Sequence, residues 1–370
     1  MRVLVLTPTL GSAGGIQRYC VTLVRALKDL LGEGSSGSVS VLEIANGTGQ
    51  GRLSAGMKLR FACQAVAKAS RWKPDLIICS HLALGPVAWL AAKVAKRRYW
   101  IVTYGIEAWG ALPYGKRSAL RKADRVVVIS AFSREQIVKR QRIDGGRTTS
   151  LACTLDENLL SVEPDGDGLH RYLSDDRRVL LTVARMAASE RYKGHDVVLE
   201  ALPRVVAQIP NLTYAVVGEG DDRARLERLA AHLGLAGHVV FTGEVSDAEL
   251  AALYRRSEVF VLPARTVIED HDPKGEGFGI VFLEAMAFGK PVIGPNYGAP
   301  AELIRDGENG LVVDPEDPTS VTEALLRLLT NPREASRMGK AGTDWVESHY
   351  SYGLFCERLR EELLSTVDAY

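Results

Sequence analysis

The sequence has no long apolar run. Its longest, residues 82–95 (LALGPVAWLAAKVA), carries Lys93 and falls short of the roughly 20 residues a spanning helix needs, so no transmembrane segment is expected. Cysteine is scarce and scattered. Cys20, Cys63, Cys79, Cys153 and Cys356 form no CxxC pair and no metal-ligand spacing, which argues against a disulfide framework or zinc site and for a reducing, cytoplasmic setting. Compositional bias is absent too: 46% hydrophobic and 25% charged residues among 370 describe a soluble globular chain of two domains. Residues 1–7 (MRVLVLT) hold one charge in an apolar run with no cleavage pattern behind it, and are expected to be a first strand rather than a leader.

The net charge is only +1, but it is unevenly spread. Residues 1–165 carry 24 Lys and Arg against 12 Asp and Glu and the remainder 22 against 33, so a half of +12 precedes one of −11. Either the two halves attract each other, or the basic half meets something anionic, a lipid surface or a phosphate-bearing acceptor rather than nucleic acid. The clusters Lys93, Lys96, Arg97, Arg98 and Lys116, Arg117, Arg121, Lys122 would suit anionic lipids and a peripheral place at the inner membrane face.

Short β-branched runs alternate with helical periodicity along the whole chain. Strands are expected at 39–44, 99–104, 126–130, 179–183, 212–217 and 259–262, with helices at 16–31, 195–209, 247–256, 281–288 and 299–306. Such alternation predicts an α/β protein of two Rossmann-like, doubly wound domains facing across a cleft. The expected limits are 1–168 for an acceptor-side domain, 169–350 for a donor-binding domain and 351–370 for a closing helix that returns to the first. Ser246 with Glu249, and Ser133 with Gln136, read as capping boxes. Ligands of such sheets sit beyond the carboxyl ends of the strands, so function is sought in the loops that follow them.

Three of those loops carry chemistry. GSAGGIQ (residues 11–17) joins the first strand to a helix, and its Gly14 and Gly15 leave backbone N–H groups open to a phosphate. It lacks the GxGxxG spacing, so a dinucleotide site is not expected and a plain structural turn stays open. VARMAASERYKGH (residues 183–195) sets Arg185 just past a strand and Lys193 at the start of a helix. A guanidinium fork and a compact ammonium could there grip a diphosphate and stabilise its departure, although each alone could equally be a surface charge. In GEGFGIVFLEAMAFGKPVIG (residues 275–294), Glu276 and Glu284 flank Gly277 and Gly279 at the mouth of an apolar helix. The amides of Phe278, Gly279, Ile280 and Val281 lie at its positive end, Glu284 could reach a ribose diol, and Glu276 could reach hydroxyls of an attached sugar.

Together with the VVGEG turn at residues 216–220, these segments resemble the retaining glycosyltransferases of family 4, over nearly the whole chain and most specifically over 182–315. The resemblance implies a GT-B fold with a nucleotide-diphosphate sugar held mainly by the second domain. It implies a catalytic set of Arg185 and Lys193 on the diphosphate and Glu276 on the sugar, with Glu284 on the ribose. Gly14 and Gly15 would close on the donor phosphate, Gly218 and Gly277 to Val281 would form the backbone cradle, and Val245 would lie near the base. Many members place a sugar-contacting histidine where this chain has Tyr104, in TYGIEAWG, so a role resting on imidazole is not available there. His81 is the nearest substitute, though a structural histidine is the other reading, and Glu107 and Trp109 are acceptor candidates, Trp109 as a stacking face.

The implied reaction moves a glucosyl or mannosyl-type hexose from a UDP- or GDP-sugar to an acceptor hydroxyl, on a lipid-linked or glycan acceptor, with no cofactor and no obligatory metal. Asp270-His271-Asp272 looks like a metal-binding DxD, but Arg185 and Lys193 can do the metal's work, and a loop gating the donor pocket is expected instead. A nucleotide-sugar epimerase of the same fold and a non-catalytic sugar-nucleotide binding module are the rival readings.

Overall fold

The computed structural model describes residues 1–11, 14–32, 38–44 and 54–367. Ser12 and Ala13 of the first glycine loop, and the end of the expected last helix at 368–370, lie outside the described residues. The chain divides into two compact units, Met1–Thr154 with Ile268–Pro273 and the chain from Tyr352, and Leu155–Val267 with Lys274–Ser351.

The first unit runs β1 (Val3–Thr7), α1 (Gly15–Leu31), β2 (Val39–Glu43), α2 (Ala55–Trp72), β3 (Leu76–Cys79), α3 (Gly85–Ala95), β4 (Arg98–Thr103), α4 (Ile106–Trp109), α5 (Tyr114–Lys122), β5 (Arg125–Val128), α6 (Ala131–Gln141) and β6 (Thr148–Ser150). Its strands form one parallel sheet in the order β2-β1-β3-β4-β5-β6. Every residue of β1 and of β3 is buried, as continuous apolar strands covered on both faces must be.

The second unit runs α7 (Glu157–Ser161), α8 (Gly166–Leu169), β7 (Arg178–Val183), α9 (His195–Gln208), β8 (Leu212–Val217), α10 (Arg223–His232), β9 (Val239–Gly243), α11 (Asp247–Arg256), β10 (Val259–Val261), α12 (Ile280–Ala287), β11 (Val292–Pro295), β12 (Gly310–Val313), α13 (Pro318–Thr330) and α14 (Pro332–Tyr350). Its parallel order, β12-β11-β10-β7-β8-β9, is that of a dinucleotide-type Rossmann sheet. The chain reverses direction across the sheet between β7 and β10, and the crevice beyond their carboxyl ends is the expected ligand position. The last helix, α15 (Tyr352–Val367), belongs to the first unit: Tyr352 donates to Asp29 at 2.6 Å and Phe355 packs edge-on against Tyr19 on α1.

Four expectations change. The divide falls after Thr154 rather than at 168, because α7 and α8 pack against α11, where Arg171 pairs with Glu249 and the Asp165 amide donates to the Ala248 carbonyl. Residues 299–306 form only a 3-10 turn, Ala299–Glu302, and the loop beyond it is braced by Asn309 on the Arg305 amide. The cap of α6 is Ser130, whose hydroxyl accepts from the Ser133 amide, while the Ser246–Glu249 box on α11 is present with both bonds. Residues 268–273, expected within the 169–350 domain, belong to the first unit, where Arg140 pairs with Asp270 at 2.5 Å and the Ala111 amide donates to the Asp270 carbonyl at 2.6 Å.

Candidate active site

The loop after β7 is held by the turn after β8. The Met186 amide donates to the Glu219 carbonyl at 3.0 Å, Ala188 N to Asp221 Oδ1 at 2.7 Å, and Arg191 reaches the buried Asp222 carboxylate. Gly218 makes this approach possible. At φ +133° it adopts a conformation that L side chains rarely take, and a Cβ there would stand 2.4 Å from the Ala184 carbonyl oxygen. The glycine of the VVGEG turn is thus needed to let one loop lie on the other.

The same loop gathers the charges. Lys193 Nζ lies 3.2 Å from Glu190 Oε2 and 3.3 Å from Glu276 Oε1, and Arg185 pairs with Glu190 Oε1. Burial by itself disfavours the Lys193 ammonium, but the carboxylates of Glu276 and Glu190 outweigh it and hold the group above its ordinary range. Lys193 is therefore a cation at any physiological pH. Beneath it His195, 5% exposed, is pushed down to about 4 by burial and by the Lys193 charge, and is neutral.

The second glutamate segment is arranged differently. Gly279 caps α12 at φ +98° and leads into Ile280 and Val281, while Phe278 is buried with its ring edge-on to Tyr350 at 5.8 Å. Glu284, 2% exposed, accepts from the Tyr254 hydroxyl at 2.8 Å, and Tyr254 stacks on Phe288. Gly277 precedes this cap, and Val245 is half-buried in the loop between β9 and α11. In the first unit, Gly14 caps α1 and Gly15 opens it.

Sequence reasoning missed Glu190 and Tyr254. Glu190 stood in plain view three residues before Lys193, a spacing that brings side chains together on any helical turn. Nothing in the sequence pairs Tyr254 with Glu284, since they come from different helices.

Two of the acceptor candidates in the first unit, Trp109 and Tyr104, are corrected, while His81 and Glu107 are half-buried. Trp109 is 0% exposed with its ring edge-on to Phe132, so it offers no face to a sugar. Tyr104 is buried, its hydroxyl donating to the Ser80 carbonyl at 2.8 Å and standing 3.2 Å from Cys20 Sγ, which makes it a brace between β3, β4 and α1. The Glu107 carboxylate accepts from the Tyr104 amide at 2.5 Å, and burial raises its pKa. His81 accepts at Nδ1 from the Ala83 amide at 3.0 Å as the cap of a 3-10 turn, and burial, with Lys116 nearby, lowers it to about 4. Arg98 leaves the basic cluster, because its guanidinium donates to the Thr366 carbonyl on α15.

Comparison with known proteins agrees with the two Rossmann-like units. The profile of the glycosyl transferases group 1 matches residues 171–345, and that of Glycosyltransferase Family 4 matches residues 13–158. The GDP-mannose-dependent alpha-(1-6)-phosphatidylinositol monomannoside mannosyltransferase of Mycolicibacterium smegmatis is 35% identical over 293 residues, 77% of this chain and 74% of that one. A GDP-mannose-dependent monoacylated alpha-(1-6)-phosphatidylinositol monomannoside mannosyltransferase of Corynebacterium glutamicum is 30% identical over 271 residues, 71% of this chain and 69% of that one. Anabaena Alr3699/HepE, solved in complex with UDP, superposes with a TM-score of 0.78 at 19% identity over 99% of this chain and all of the other, a likeness of fold. With two Rossmann-like units and these matches along its length, the chain belongs to the family 4 glycosyltransferases, enzymes of the GT-B fold.

Proposed function

We propose that this enzyme transfers a mannosyl group from GDP-mannose, with retention of anomeric configuration and without an obligatory metal, to a hydroxyl of an inositol phospholipid. The observation that carries the reading is the joining of Arg185, Lys193 and Glu276 through short ion pairs in the loops beyond β7 and β10, where a Rossmann sheet takes its ligand. The donor and acceptor are suggested by the names of the mycobacterial and corynebacterial relatives.

In this mechanism the Arg185 guanidinium and the Lys193 ammonium bind the diphosphate, with the amides at the start of α12. Glu276 accepts hydrogen bonds from the hexose, and Glu284, oriented by Tyr254, from the ribose. The acceptor oxygen bonds to the anomeric carbon on the face that the leaving group departs from. The bond between anomeric carbon and phosphate oxygen breaks, its electron pair goes to the diphosphate, and the acceptor's proton follows to a phosphate oxygen. No protein base is needed, and catalysis comes from positioning and from cations placed where charge grows.

A thermal titration of the enzyme and of Glu284→Ala with GDP, UDP and their hexose conjugates tests the donor. GDP at a hundred times its dissociation constant should stabilise the parent by about 2.7 kcal/mol. Loss of a hydrogen bond to a charged group should weaken the variant by roughly 10- to 100-fold. Absence of stabilisation by every nucleotide would remove the donor reading.

For the acceptor side we propose that the packed α3–α5 face rests on anionic lipid. It presents Lys93, Lys96, Lys116, Arg117, Arg121 and Lys122 around exposed Leu90, Val94 and Tyr114, the last 84% exposed. Tyr114, Arg117, Ser118, Arg121 and Lys122 line a depression of about 330 Å³. No described helix is long and apolar enough to cross a membrane. At about 1 kcal/mol for each cation near an anionic surface, reversing two charges should weaken binding more than tenfold. Lys116→Glu with Lys122→Glu should accordingly abolish salt-sensitive flotation on phosphatidylcholine vesicles containing phosphatidylinositol; flotation equal to the parent's would refute this face.

A further inference from the structure

Glu190 pairs with both of the cations assigned to the diphosphate. Its Oε1 meets the Arg185 guanidinium and its Oε2 lies 3.2 Å from Lys193 Nζ, while Glu276 holds Lys193 from the other side at 3.3 Å. The four groups sum to zero formal charge. Side-chain exposures of 15% for Glu190 and 12% for Lys193 place their pair where solvent screening is weak.

A carboxylate bridging a guanidinium and an ammonium occupies part of the N–H donor set that phosphate oxygens would use and neutralises the charge that attracts them. A diphosphate that binds Lys193 and the Arg185 nitrogen paired with Glu190 therefore competes with that carboxylate. The loop itself need not move for this exchange. Its backbone is fastened on both sides of Glu190, by Met186 to Glu219, by Ala188 to Asp221, and by the Arg265 amide to the Tyr192 carbonyl at 2.6 Å. Glu190 itself sits at a break in the 3-10 segment, at φ −115° and ψ 24°, and rotation of its side chain alone would release both cations. With its carboxylate withdrawn, the cluster of Arg185, Lys193 and Glu276 carries one net positive charge toward the ligand.

We propose that Glu190 is an internal competitor of the donor's diphosphate. It keeps Arg185 and Lys193 aligned, yields them to the entering nucleotide sugar, and reclaims them as the nucleoside diphosphate product leaves. The proposal rests on the donor reading given above.

Glu190→Gln keeps the shape of the side chain and its acceptor for Lys193 but removes the competing charge. Calorimetric titration with GDP, UDP and inorganic pyrophosphate should show the variant binding the nucleoside diphosphate and pyrophosphate roughly tenfold more tightly than the parent, the size of one charge-assisted pair. Product inhibition by the nucleoside diphosphate should strengthen by the same factor while kcat falls. Glu190→Ala should shift affinity in the same direction. Glu200→Gln, which makes the same change of charge at an exposed site on α9, should leave it unaltered. Equal or weaker binding in both Glu190 variants, with a parent that binds, would overturn the proposal and make Glu190 a positioning residue. A parent that binds none of the three probes would refute the donor reading itself.

Discussion

Lys193→Ala should lower kcat by roughly 10²- to 10³-fold, the effect of removing one preorganised electrostatic donor, about 3 to 4 kcal/mol of barrier. The side chain is not an ordinary surface lysine. It is 12% exposed, it is the common partner of Glu190 and Glu276, and its ammonium is held above its ordinary pKa against the opposing effect of burial. Truncation would also leave the Glu190 and Glu276 carboxylates without their shared counter-charge, so a stability loss of about 1 to 3 kcal/mol should accompany the kinetic one. A group whose pKa is raised in the folded state contributes stability below its unfolded pKa and loses it as pH rises through the folded value. The Lys193 contribution should thus persist across the neutral range and fade only in strong alkali. Steady-state rates and circular dichroism on the same preparation separate the two effects. A variant that is folded and turns over within a few-fold of the parent would remove Lys193 from the transition state.

Gly218→Ala should be nearly as damaging, although it deletes no functional group. Its methyl would stand 2.4 Å from the Ala184 carbonyl oxygen and 3.4 Å from Arg185 Cα, at a φ of +133°. Both neighbours are backbone and cannot turn aside, so the strand-end loop carrying Arg185 must shift. Strain at a positive φ together with overpacking should cost about 3 kcal/mol. For a unit of this size that lowers the melting temperature by roughly 10 °C. Misplacing a diphosphate ligand by about 1 Å should cost a further 10²-fold in rate. An unchanged melting temperature would show that the two loops do not press on each other as described.

The two predictions differ in how much of each could be read without coordinates. The places of Arg185, Lys193 and Glu276 beyond strands and before helices were legible because strand ends and helix starts are written locally, in apolar runs and caps; that their charges meet was not, since each alone could equally be a surface charge. The Asp247–Arg256 helix was legible for the same reason, since its Ser246–Glu249 box is a contact between near neighbours. The boundary at 168 was not. Whether α7 and α8 side with one sheet or the other depends on packing against α11, some eighty residues away, with the Asp165 amide on the Ala248 carbonyl among the contacts.

Orientation was the other loss. TYGIEAWG announces a polar, aromatic loop after a strand, and nothing in its spelling says that Trp109 turns into the core against Phe132 or that the Tyr104 hydroxyl is spent on Ser80. Those directions are set by which neighbour leaves a space, and the neighbours come from α1, β3 and α6.

What the sequence by itself determined is the alternation of elements, the parallel sheets it demands, and the residue types available at the strand ends, because each follows from periodicity and from chemistry within a few positions. Only the tertiary structure decided which charges neutralise one another: that Glu190 lies across Arg185 and Lys193, that Tyr254 holds Glu284, and that Arg98 is taken up by α15. Pairing energies fall off over a few ångströms, and such distances between remote side chains exist only once the loops have been laid against one another.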